Sequence, residues 1–121
     1  MTASEAIARA KETRQCAIDY SQYLKWINVI EGRIQVEIMG KRPEEVIIYT
    51  EENDNVPLLV SHPYDEVYIY YLCAMIDFFN EEWDLYASDA AFFEKAFDNY
   101  KGVYVRTAKS EGVQIHGWWK S

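Results

Sequence analysis

Histidine and cysteine are scarce in this chain: two of each in 121 residues. His62 and His116 lie far apart, and neither has a cysteine or carboxylate at metal-ligand spacing, so the sequence predicts no metal centre. Cys16 and Cys73 sit inside apolar helical patterns, which points to buried reduced thiols; nothing in the sequence supports a disulfide between them. The five glycines form no phosphate-cradling loop. No serine, cysteine or lysine stands in a recognisable nucleophile context. The carboxylate pairs Asp65-Glu66 and Glu81-Glu82 fall at helix boundaries, where such pairs usually cap or solvate, and a paired acid–base role would need a cleft. These absences predict a protein that is not an enzyme and that takes no cofactor.

Long apolar runs are also missing. The longest covers residues 67–76, far short of the ~20 residues a membrane helix needs. The first residues are polar and lack the apolar segment of a secretory signal. The expectation is a soluble chain made in the cytoplasm, with no membrane partner. Basic residues are nearly absent from the middle of the chain: residues 43–100 hold one, Lys95, against fourteen acids. Such a body cannot neutralise nucleic-acid phosphates. Residues 1–42 hold seven bases and five acids, and residues 101–121 hold four bases and one acid, Glu111. A basic tail on an acidic body can dock on an acidic neighbour, although a merely solvated acidic surface is the commoner situation.

Aromatic residues, by contrast, are abundant. Ten tyrosines and four tryptophans are more than one small core easily hides. They fit either an interface or a tyrosine-rich core with its hydroxyls at the surface. The length predicts one domain, large enough to bury roughly two-thirds of its unfolded surface.

The pattern of the chain is helical. Thr2 and Glu5 have capping-box spacing ahead of a first short helix. Asp19 or Ser21 can cap a second, in which Leu24, Ile27, Ile30, Ile34 and Ile38 recur on one face as far as about Met39, with Gly40 at the stop. Residues 41–63 break the pattern with three prolines. Two short β-branched or aliphatic runs, 45–50 and 56–60, flank a polar turn, which predicts a short β-hairpin or an extended loop. A third helix starts near Asp65 and is apolar nearly all round. Asn80-Glu81-Glu82 makes a break, and Tyr86, Ala90, Phe93, Phe97, Tyr100 and Tyr104 then step along a fourth helix to about Thr107.

The predicted fold is therefore mainly α: a small bundle of about four helices, with the hairpin or loop inserted between helices two and three. Residues 1–107 form the single domain, and its expected core includes Leu24, Ile27, Ile34, Leu72, Met75, Ile76, Phe79, Phe93 and Phe97. Residues 108–121 read as a flexible tail. Its apolar Val113, Ile115, Trp118 and Trp119 are costly to leave in water, so they either dock on a partner or fold back on the core. Arg106, Lys109 and Lys120 give this end its basic character and complete the candidate partner-binding set.

One order of residues resembles a known family. A helix containing Trp26 ends in Glu31-Gly32-Arg33-Ile34 with Glu37-Ile38. After the variable segment come Leu58-Leu59-Val60, Pro63-Tyr64-Asp65-Glu66, Tyr68-Ile69-Tyr70-Tyr71-Leu72 and Ile76-Asp77, followed by Asn80, Tyr86 and Phe93. Over about residues 20–106 this resembles the head–tail connector (adaptor) proteins of long-tailed bacteriophages, as encoded in prophages of Gram-positive bacteria. The chain departs from that pattern at Glu81, where glycine is usual, and in its tryptophan-ended tail.

The resemblance implies a helical virion subunit at the head–tail junction, made in the bacterial host cytoplasm. It implies a ring, typically of twelve copies, beneath the portal protein, from subunits that are often monomeric in isolation. The ring extends the DNA channel without sequence-specific contact, and a tail-side head-completion protein binds below. The competing expectations are a small acidic phage regulator or inhibitor that mimics DNA to bind a host protein, and another head-closure or tail-completion component.

Overall fold

The computed structural model describes residues 1–110 of the chain, with side chains placed through Ala108. Four α-helices follow one another: α1 (Ala3–Thr13), α2 (Tyr20–Arg33), α3 (Glu66–Phe79) and α4 (Trp83–Ser110). The protein is a small, mainly α bundle, and no β-strand occurs among the described residues.

Helix α1 starts where the sequence places it. The Thr2 hydroxyl accepts the Glu5 N–H (3.1 Å) and the Glu5 carboxylate accepts the Thr2 N–H (2.9 Å), closing a reciprocal capping box. Ala3, Ala6, Ile7 and Ala10 recur at helical spacing and are buried; the small alanines and the single large Ile7 form the face that α1 packs against α3 and α2. The buried face of α2 is Tyr23, Leu24, Ile27 and Ile30, and it continues through Ile34 and Ile38 in a wider π-helical turn (Ile34–Ile38) that takes the place of the expected α-helical end. Gly40, at φ 74°, follows in the left-handed conformation that suits glycine.

Helix α3 packs along α4 more extensively than any other pair. Leu72 and Ile76 of α3 and Phe93 and Phe97 of α4 are buried in the joint core, with Tyr100 and Tyr104 packed against it. Arg33 lies over this seam, with its guanidinium carbon 4.7 Å from the Phe97 ring centre and 5.7 Å from that of Phe93. It also ion-pairs with Glu37 at 2.8 Å.

Of the two forms expected for residues 41–63, the extended loop is found and the hairpin is not: they hold one 3₁₀ turn (Pro43–Glu45) and otherwise run as a loop over α2. The reason is that side chains of α2 and of the π-helical turn that follows it occupy the place of a partner strand. The Asn28 amide exchanges two hydrogen bonds with the Tyr49 backbone (2.7 and 2.9 Å), and the Gln35 amide exchanges two with the Ile47 backbone (2.9 and 3.3 Å). Asn28 and Gln35 lie two turns apart on one helix face, so the loop is read out by a helix and not by a second strand.

Two expected core residues of α3 need correction. Met75 is only half-buried and Phe79 is 58% exposed. Met75 and Phe79 share a stripe rotated away from Leu72 and Ile76. That stripe faces a gap between the N-terminal part of α2 and the α3–α4 turn, which no other described element covers. Helix α4 also runs three residues beyond Thr107, to Ser110, and Ala108 is buried.

Candidate functional site

The α3–α4 corner is built by a Schellman stop. The Glu82 N–H donates to the Asp77 carbonyl (2.9 Å) and the Glu81 N–H to the Phe78 carbonyl (3.1 Å), which satisfies the last carbonyls of α3. The residue at the bend must turn left-handed, and Glu81 does so at φ 59°. The sharp reversal leaves the aromatic residues on either side without cover: Phe78 is 54% and Trp83 53% exposed. The Phe78 ring meets Trp83 edge-on at 5.3 Å and Tyr86 at 5.4 Å, so these side chains are held in a cluster.

Phe78 and Trp83, together with Trp26 of α2 and with Met75, Phe79 and Glu81, line an open groove of about 630 Å³. Glu82 and Asp84 are exposed beside it. The surface is thus aromatic with an acidic edge, suited to an apolar segment that carries positive charge. A second exposed ridge lies farther along α4, where Phe92 stacks on Tyr70 at 5.5 Å next to Lys95 and Asn99.

Two polar clusters lie inside the protein. Glu31 is fully buried. One of its oxygens accepts the Tyr68 hydroxyl (2.6 Å); the other accepts the Leu59 N–H (2.9 Å) and the Tyr49 hydroxyl (3.1 Å). The Tyr68 hydroxyl in turn accepts the Val60 N–H (2.9 Å). Burial pushes the Glu31 carboxyl above its ordinary range despite these donors. Burial likewise pushes the Tyr49 and Tyr68 hydroxyls up, assisted by the neighbouring Glu31 charge.

The second cluster ties three helices together. Arg14, at the end of α1, reaches Asp77 of α3 (3.0 Å) and Asp89 of α4 (2.9 Å). Burial, and then the neighbouring Asp89 carboxylate, push Asp77 up to about 7. Its Oδ2 is buried without a hydrogen-bond partner. Neither cluster lines any of the grooves described above. Their contacts hold the loop and the helices in register.

Among the described residues no group of histidine, cysteine and carboxylate side chains is arranged to hold a metal ion, and no helix is long and apolar enough to cross a membrane. Both cysteines are free; burial pushes the Cys73 thiol up to about 11. Of the candidate partner-binding residues, Arg106 is exposed on α4 and Lys109 lies on its last turn. Val113, Ile115, Trp118, Trp119 and Lys120 lie outside the described residues. The groove at the α3–α4 corner was missed by sequence reasoning. Its signal was present: aromatic pairs and singles, Phe78-Phe79 and Trp83, flank an acidic break at which neither helix can cover them.

No family model, no curated protein and no solved structure matches this chain.

Proposed function

We propose that this chain is a structural subunit of a tailed-phage virion: a head–tail connector that forms a ring beneath the portal protein and extends the DNA channel. The observation that carries the reading is the residue order over 20–106, taken together with the places its members occupy. Glu31 organises the loop, Arg33 covers the α3–α4 seam, and Tyr68 and Asp77 make internal polar contacts. Glu66 pairs with Arg9 (2.9 Å), and Asn80 donates to the Gln15 carbonyl (3.4 Å). The resemblance thus rests on residues that build the fold.

Glu81 is a departure from the resembled pattern, and its φ of 59° is a conformation that suits the glycine usual there. The exposed aromatic groove and ridge suit a subunit that meets several neighbours. Of the fourteen acids of residues 43–100, all but the buried Asp65, Asp77 and Asp89 reach the surface, and they suit a channel wall that repels phosphates, so that DNA slides without sticking.

The test is co-purification with the portal protein encoded in the same genome, followed by electron microscopy. A stacked ring at the tail-facing end of the portal is the expected result. Failure to bind, or salt-sensitive capture of a host DNA-binding protein without a ring, would replace this reading with that of an acidic regulator.

A further inference from the structure

We infer that the groove lined by Trp26, Met75, Phe78, Phe79, Glu81 and Trp83 is the receptor for the tryptophan-ended C-terminal segment of a second copy of this chain. The groove and the segment match in chemistry. The groove is aromatic and edged by Glu81, Glu82 and Asp84. The segment carries Val113, Ile115, Trp118 and Trp119, with Lys120 directly after the tryptophan pair. Paired indoles fill aromatic clefts well, and the lysine meets the acidic edge.

Reach decides that the segment belongs to another copy. The groove sits at the start of α4 and the described chain ends at its far end. Helix α4 has 28 residues, which at 1.5 Å each set the two ends about 42 Å apart. From Ser110 to Trp118 the chain spans at most about 28 Å when fully extended. It would also have to reverse direction before starting back. A segment leaving the far end of α4 therefore meets the groove of a neighbour more readily than its own.

The contact joins two different surfaces. Exchanged reciprocally between two copies it closes a dimer; passed on from copy to copy it yields a ring where the rotation closes and a filament where it does not. The inference concerns contact between two copies only and does not depend on the portal. A chain that fails to bind any portal can still pass the test below, and one that binds a portal can still fail it.

The experiment uses the full chain with a photo-reactive benzoylphenylalanine in place of Trp118, as an equal mixture of ¹⁴N- and ¹⁵N-labelled copies at millimolar concentration. After irradiation, cross-linked peptides are mapped by mass spectrometry. The expected result is cross-links from position 118 to the 75–83 and Trp26 peptides in mixed isotopic pairs. Cross-links confined to one isotope, cross-links mapping to other surfaces, or none, would overturn the inference.

Sedimentation equilibrium supplies the second readout. Phe79→Asp and Trp118→Ala are each expected to weaken self-association at least about tenfold, as loss of a buried aromatic anchor does. Phe92→Asp, on the separate ridge, should leave it unchanged. Phe79 is more than half exposed, so its substitution leaves the core intact, and an unchanged thermal melt checks this. Equal association by all three variants would refute the assignment.

Discussion

Replacing Glu31 by alanine should come close to unfolding this protein, although the residue touches no groove. Three donors converge on its carboxylate: the Tyr68 hydroxyl, the Leu59 N–H and the Tyr49 hydroxyl. Each buried donor left without an acceptor costs about 1–3 kcal/mol. The fully buried site is closed to water, so little of that cost is recovered. A cost of about 5 kcal/mol is comparable to the whole stability of a small domain, about 5–15 kcal/mol.

Glu31→Gln keeps the shape but turns one acceptor into a donor. At least one of the three donors then loses its partner, at about 1–3 kcal/mol. Tyr49→Phe removes one donor and its partner bond together, and should cost less than Glu31→Gln. Urea denaturation at pH 7, followed by circular dichroism, orders the three variants. Hydrogen exchange gives the local check: the Leu59 and Val60 amides, held by Glu31 and by Tyr68, should exchange faster in Glu31→Gln than in the parent. The reasoning fails if Glu31→Gln is as stable as the parent, or if its extra exchange appears in α1 or α4 while the loop stays protected.

Asp77 lies near 7 in the folded protein against 3.8 ordinarily. The stability it contributes is therefore fully present below about pH 4 and is lost as pH rises through 7, by a few kcal/mol in all. Denaturant midpoints should be higher at pH 5 than at pH 8, and Asp77→Asn, which can still accept from Arg14 while donating to Asp89, should flatten that slope; a midpoint rising with pH would contradict the assignment. Glu81→Gly relieves a left-handed non-glycine residue and should stabilise by about 0.5–1 kcal/mol, whereas Glu81→Ala should not, a difference readable in paired thermal melts. Arg33→Lys loses the flat guanidinium over Phe97 and Phe93 and should cost about 1 kcal/mol, with no loss if the contact is incidental. Ending the chain after Ser110 should keep the melting temperature while abolishing self-association; a truncated chain that still associates would move the contact elsewhere on the bundle.

The helices were legible because their signals are local. The Thr2–Glu5 box, the isoleucine stripe of α2 and the 4-3 stepping of α4 all correspond to elements that form. Leu24, Ile27, Ile34, Leu72, Ile76, Phe93 and Phe97 are buried where periodicity put them. The loop was harder to read. Residues 45–50 have strand composition, yet their backbone groups bond to Asn28 and Gln35, polar residues inside a helical stripe whose partners lie far off in sequence. Periodicity also misjudged Met75 and Phe79. A hydrophobic pattern marks a face that avoids water and does not say whose atoms cover it. Glu31 is the opposite case: an acid amid apolar residues that reads as a surface position until its three donors are seen.

The placement of the aromatic residues bears on what this surface is for. In a solitary domain, tyrosine is the aromatic expected outside, with its hydroxyl in water, and phenylalanine the one expected inside. Here part of the set is reversed. Tyr23, Tyr49 and Tyr68 are buried, two of them because Glu31 accepts their hydroxyls, while Phe78, Phe79, Phe92 and Trp83 are exposed. The Tyr49 and Tyr68 hydroxyls lock the loop, and Phe78 and Phe79 at the α3–α4 corner have no polar atom to offer solvent. Removing that apolar surface from water contributes roughly 25 cal/mol per Å², and only a second molecule, or a chain segment beyond Ser110, is left to cover it. Tyrosine or charge at 78, 79 and 83 would lower the apolar area this corner exposes. The single change Phe79→Tyr should then leave folding untouched yet weaken self-association, because it carries a hydroxyl into a contact that has no partner for it. Unaltered association of that variant would mean that position 79 stays wet in the assembly.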